Sequence, residues 1–96
     1  MDITRSQEHS RYELREDGDI HATLAYTERD ALTYLTYSYT DPSQRGRGLA
    51  ATLVEHAVQA ISADPTHRII PTCGYVRGWF AEHPEYRHLL ADSSED

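Results

Sequence analysis

Apolar and polar residues alternate with a period of two from residue 11 to about residue 40, then shift to a helical period. Tyr12 and Leu14 alternate with Arg11, Glu13 and Arg15, which predicts a half-buried strand. Asp17-Gly18 follows as a hairpin signal, because glycine accepts the positive φ such turns require. Ile20, Ala22, Leu24 and Tyr26 alternate with His21, Thr23 and Thr27, a second strand with one apolar face, and Glu28-Arg29-Asp30 makes the next turn. Residues 31–40 are aromatic and β-branched and predict a third strand. Its phase slips: Leu32 and Tyr34 share one face, while Leu35, Tyr37 and Tyr39 share the other. A β-bulge leaves that trace, and so does burial on both faces. Asp41-Pro42-Ser43 ends the strand.

From Gly48 to Ser62 the apolar positions Leu49, Ala50, Leu53, Val54, Ala57, Val58 and Ile61 have helical spacing, with Thr52, Glu55, His56 and Gln59 on the outer face. Pro65 closes this segment. Arg68-Ile69-Ile70-Pro71 reads as a short inner strand, and Thr72 as the cap of a second helix with Tyr75, Val76, Trp79 and Phe80 along one face. His83-Pro84 stops it, and Pro84 opens a last turn carrying Tyr86, Leu89 and Leu90. Residues 1–10 form either a short edge strand around Ile3 or a loose lead. The order predicts an α/β (α+β) fold: a mostly antiparallel four-stranded sheet with one crossover helix into a parallel fourth strand. Residues 1–91 read as one domain, and residues 92–96 as a frayed acidic tail.

Composition narrows the function. The chain has 96 residues and a net charge of −7, which disfavours nucleic acid as a partner and suits a cationic acceptor such as an amine. No apolar run approaches the roughly 18 residues of a membrane helix, and no apolar signal segment opens the chain. Cys73 is the one cysteine and cannot form an internal disulfide, so the expected compartment is the cytoplasm. None of the six histidines pairs at i, i+4, and one cysteine gives no zinc pattern, so no metal site is expected.

Candidate chemistry gathers at the junction Ser43-Gln44-Arg45-Gly46-Arg47-Gly48-Leu49-Ala50. Two glycines and two arginines precede a helix whose N-terminal amides lack partners, and such a nest takes phosphate. It is not a Walker loop, lacking the Gly-Lys-Ser/Thr ending, and it lacks the third glycine of a dinucleotide fingerprint. By itself, a glycine-rich turn before a helix is commonly only a turn.

Arg45, Gly48 and Ala50 fill the Gln/Arg-x-x-Gly-x-Gly/Ala signature between strand and helix, and here the sequence resembles the GNAT N-acetyltransferase superfamily. It looks like the short, GNAT-like subfamily: Arg11-Tyr12-Glu13-Leu14, Asp17-Gly18, Pro71-Thr72-Cys73 and His83-Pro84-Glu85-Tyr86 follow that pattern across residues 3–90. The subfamily's His-Thr pair before the loop is replaced by Tyr37-Ser38, which leaves the chemistry altered or weakened. The resemblance implies a splayed pair formed by the third and fourth strands. Acetyl-CoA would lie in the gap, its pantetheine arm along Tyr39 and Thr40, its pyrophosphate on Arg45, Gly46, Arg47, Gly48, Leu49, Ala50 and Ala51, with Cys73 beside the thioester.

Two mechanisms are open. An amine attacks the thioester directly, with His83, Glu82 or the phenol of Tyr37 in the proton path. Alternatively Cys73 accepts the acetyl group first, helped by its place at a helix start. The plain readings stand beside these: Cys73 as a buried thiol, His83 as a helix stop, Trp79 and Phe80 as core. The implied activity is acetyl-CoA-dependent acetylation of an amine, on a protein or an extended polyamine, by a monomer or weak homodimer. A non-catalytic acyl-CoA-binding or interaction module is the alternative.

Overall fold

Strand β2 (Arg11–Glu16) and strand β3 (Asp19–Arg29) form the hairpin that the Asp17-Gly18 signal predicts. Asp17 and Gly18 both adopt positive φ, 51° and 85°, as a primed turn requires. The computed structural model describes residues 1–91; the acidic tail expected at 92–96 lies outside them. Strand β1 (Asp2–Ser6) pairs antiparallel with β2, so the sheet has five strands rather than four. Ile3 decides this: it packs against the core opposite Leu14, which gives the polar N-terminus a reason to pair.

Strand β4 (Leu32–Thr40) pairs antiparallel with β3, and strand β5 (Arg68–Pro71) pairs parallel with β4. The sheet order is β1-β2-β3-β4-β5. Helix α1 (Leu49–Ile61) makes the crossover from β4 to β5 and buries Leu49, Leu53, Val54, Ala57, Val58 and Ile61. These pack on Tyr12, Leu14, Ala22, Leu24 and Leu35, which the alternation places on one sheet face. Helix α2 (Gly74–Glu82) adds Val76, Trp79 and Phe80 to the same core, and a 3-10 turn over Pro84–Leu89 closes it with Leu89.

Two details differ from the sequence reading. Cys73, not Thr72, is the N-cap of α2, and Thr72 instead turns its hydroxyl to the Leu35 carbonyl at 3.3 Å. Tyr75 is 45 % exposed rather than core, because it flanks Gly74 and Gly78, which offer no side chain to cover it. Among the described residues, no helix lies on the second sheet face. The register puts Arg11, Glu13, Thr23, Ala25, Tyr37 and Tyr39 there.

Candidate active site

The phase slip in β4 is a bulge. Ala25 pairs with Tyr37 and Tyr26 with Leu35, which leaves Thr36 as the extra residue. Strand β5 pairs with β4 only from Leu32 to Leu35. There the two strands part. The Leu35 carbonyl accepts the N–H of Thr72 and the N–H of Cys73, both at 3.1 Å, as the chain turns from β5 into α2. Beyond that apex, residues 37–40 of β4 are paired on the β3 side alone. A free strand edge offers alternating N–H and C=O groups to an extended ligand.

The loop sits at the mouth of this gap. Asp41 accepts the Ser43 N–H and hydroxyl, both at 2.9 Å, which holds its carboxyl below the ordinary range and fixes the 3-10 turn Pro42–Gln44. Gly46 and Gly48 then take positive φ, 88° and 75°. The first helical bond of α1 runs from the Thr52 N–H to the Gly48 carbonyl at 3.1 Å. Among the described residues, no backbone or side-chain acceptor takes the amides of Gly46, Arg47, Gly48, Leu49, Ala50 and Ala51. No acidic residue occupies the first turn of α1 to cap them. This donor run, at the positive end of a 13-residue helix, suits a phosphate group.

A depression of about 360 Å³ lies against these amides, lined by Ser38, Thr40, Arg45, Gly46, Gly48, Leu49, Ala50 and Tyr75. Arg45 reaches it exposed, without a side-chain partner among the described residues. Arg47 does not share that role. Its guanidinium makes two parallel bonds to the Glu16 carboxylate, at 2.9 and 3.0 Å, and this pairing draws the Glu16 carboxyl down and the Arg47 guanidinium up. Arg47 therefore ties the loop to the end of β2, and its charge is neutralised there.

The register divides the β4 side chains. Ser38 and Thr40 face the helices and the depression, while Tyr37 and Tyr39 stand on the open face, 60 % and 43 % exposed. Tyr39 thus brings its backbone to the gap and not its phenol. Leu49 and Ala51 likewise offer amides, since the Leu49 side chain is buried in the core.

Cys73 is half-buried at the apex, beside the free N-terminal amides of α2. His83 is the C-cap of the same helix, so the two stand roughly 15 Å apart along its axis. The structure does not bring them together. His83 stacks on Trp79 at 4.1 Å and donates Nδ1–H to the Trp79 carbonyl at 2.7 Å. Glu82 and His83 share a groove of about 280 Å³ with Ala51, Tyr75 and Trp79, on the far side of Tyr75 from the depression.

Sequence reasoning missed Glu16, which lies 31 residues from its partner Arg47 and carries no local signal. It also missed Tyr75, whose flanking glycines were the available clue. Burial, then the charge of Glu82, raises the Tyr75 phenol's pKa, so it keeps its proton at neutral pH. Among the described residues no cluster of His, Cys, Asp or Glu forms a metal-binding group, and no helix is long and apolar enough to cross a membrane.

A family described as GCN5-related N-acetyl-transferase matches residues 11–89. No curated protein sequence matches. Solved structures similar in fold include a GCN5-like protein from Staphylococcus aureus, assigned as an N-acetyltransferase and determined by NMR in solution. Its TM-score is 0.72 at 13% identity, over 94% of this chain and 87% of that one. A second comes from Clostridium acetobutylicum, an acetyltransferase by sequence-based assignment, determined with acetyl-CoA; its TM-score is 0.56 at 20% identity, over 76% of this chain and 55% of that one. A third is ribosomal-protein-alanine N-acetyltransferase from Brucella melitensis biovar Abortus 2308, with a TM-score of 0.54 at 14% identity, over 91% of this chain and 67% of that one. At these identities the likeness is one of fold.

Proposed function

The chain belongs to the GCN5-related N-acetyltransferase family and is an acyltransferase with acetyl-CoA as co-substrate, and from that premise we propose that it acetylates an amine on a protein or another extended chain, at the apex where β4 and β5 part. One observation carries this reading: the unpartnered amides of residues 46–51 open beside the free edge of β4. Those amides and Arg45 take the pyrophosphate, and the edge at Tyr39 and Thr40 pairs with the amide groups of the pantetheine arm. Arg47 holds the loop in place through Glu16. Acetyl-CoA supplies, when bound, an activated acetyl thioester.

Direct transfer fits this arrangement. A lysine-like amine has a pKa near 10.4, so freeing its lone pair at pH 7 costs roughly 4.6 kcal/mol. Its proton leaves through water on the open face, where the Tyr37 phenol stands. An amide freed by the Thr36 bulge receives the negative charge that builds on the acetyl oxygen. The amine nitrogen forms the new bond to the acetyl carbon, the carbon–sulfur bond breaks, and its electron pair leaves on sulfur. Tyr75, which lines the depression from α2, gives the departing sulfur its proton and regains one from solvent, while the attacking nitrogen loses its second proton to water. Cys73 lines the apex in this scheme without carrying the acetyl group, and His83, at the far end of α2, is left as a helix stop stacked on Trp79. The reaction is assigned to the cytoplasm, to residues 1–91 working as one domain, monomeric or weakly dimeric.

The test is acetyl transfer to a lysine-bearing peptide by wild type, Cys73→Ala and Tyr75→Phe. Cys73→Ala is expected to keep transfer within about threefold. Tyr75→Phe is expected to lower kcat by roughly tenfold to a hundredfold, the lower reach of general acid catalysis, with acetyl-CoA affinity unchanged. Loss of turnover in Cys73→Ala, with acetylated Cys73 detected by mass spectrometry in wild type, would replace direct transfer by a two-step route.

A further inference from the structure

The open face of the sheet carries another depression, of about 360 Å³, lined by Thr27, Arg29, Tyr34, Thr36 and Thr72. The bulge sets its position. Thr36 is the extra residue of β4, and Thr72 donates through its N–H and its Oγ1 to the Leu35 carbonyl, at 3.1 and 3.3 Å. The depression therefore borders the apex from the face opposite the Arg45–Gly48 loop. A ligand here meets the same point of the sheet as a thioester held along β4, from the other side.

Its lining residues are three threonines, a tyrosine and an arginine, with no acidic residue among them. Arg29 is exposed and makes no side-chain hydrogen bond or ion pair among the described residues, whereas its neighbour Glu28 is engaged by Arg5 at 2.9 Å. In a chain of net charge −7, Arg29 is the one charged residue among those lining this depression, and it is cationic. Arg29 repels an acceptor that carries positive charge alone. An anionic group on the acceptor gains a charge-assisted hydrogen bond there. Arg29 pairs with Leu32, and three residue steps along β4 lead from Leu32 to the apex at Leu35, a span of roughly 10 Å.

We propose that this depression seats the acceptor, and that Arg29 selects an amine accompanied by a carboxylate within that span, as an N-terminal amine followed by an acidic residue presents. The proposal deepens the reading given above and rests on it. Arg29 holds the carboxylate, and the Thr36 and Thr72 hydroxyl oxygens accept from the amine N–H groups at the apex.

Two amidated tripeptides, Gly-Gly-Asp and Gly-Gly-Asn, serve as acceptors for wild type, Arg29→Gln and Arg29→Lys, with acetyl-CoA affinity measured by calorimetry on the same samples. Wild type is expected to prefer the Asp peptide in kcat/KM by about tenfold, the worth of one hydrogen bond to a charged group. That ratio falls to about one in Arg29→Gln and is partly kept in Arg29→Lys, while acetyl-CoA affinity is alike in all three. Equal kcat/KM for the two peptides in wild type, transfer to neither, or a ratio unchanged in Arg29→Gln overturns the proposal while the acetyl-CoA titration still stands. Absence of acetyl-CoA binding in wild type overturns the underlying reading as well.

Discussion

Glu13 shows how single residues keep the open face uncovered. It is 3 % exposed on a face that no helix covers, between Arg11 and Arg15, which donate to its two carboxylate oxygens at 2.8 and 2.9 Å. The bond from Arg11, then that from Arg15, outweigh burial and hold its carboxyl below the ordinary range. A carboxyl lowered in the folded state contributes stability above its unfolded pKa of about 4.3 and loses it as pH falls through the folded value. Glu13→Gln is therefore expected to be less stable than wild type at pH 7 in urea unfolding, with the gap narrowing at pH 3. A gap that stays constant between the two pH values would show that the charge of Glu13 contributes nothing.

At the scale of elements, the loop between β4 and α1 depends on a tie to another hairpin. If Arg47 acts through Glu16, then Arg47→Ala, Glu16→Gln and the double variant weaken acetyl-CoA by the same modest factor, less than about tenfold, as expected of a surface ion pair. A direct phosphate contact by Arg47 would instead leave Glu16→Gln neutral or improved. The elements themselves were legible in the sequence: the 3.6-residue period from Leu49 to Ile61, the Asp17-Gly18 turn and the slip in β4 each follow from local patterns that burial enforces. So was the loop, because Gly46 and Gly48 are needed for positive φ. What the sequence hid is non-local. Nothing near Arg47 points to Glu16, and nothing in the alternation of β4 says that Tyr37 and Tyr39 face solvent while Ser38 and Thr40 face the depression. Cys73 and His83 stood in the sequence as candidates for alternative mechanisms, and α2 holds them at its two ends.

For the molecule as a whole, charge opposes its own ligand. A net charge of −7 spread over a body of 13.1 Å radius of gyration repels a polyanion before the loop can attract it. The screening length is about 30 Å at 0.01 M salt and about 8 Å at 0.15 M, so added salt removes the long-range repulsion while the contacts at residues 45–51 persist. Acetyl-CoA association is expected to speed up between these conditions in stopped-flow measurements, the reverse of ordinary steered binding. A rate that falls with salt would mean that Arg45 dominates the field.

The most direct measurement is a backbone amide NMR titration of the 96-residue protein with acetyl-CoA. Shifts concentrated at Gly46–Ala51, with a second group along residues 36–40 of β4, are the expected result. No shifts, or shifts centred elsewhere, would contradict the assignment of this loop and strand edge as the acetyl-CoA site.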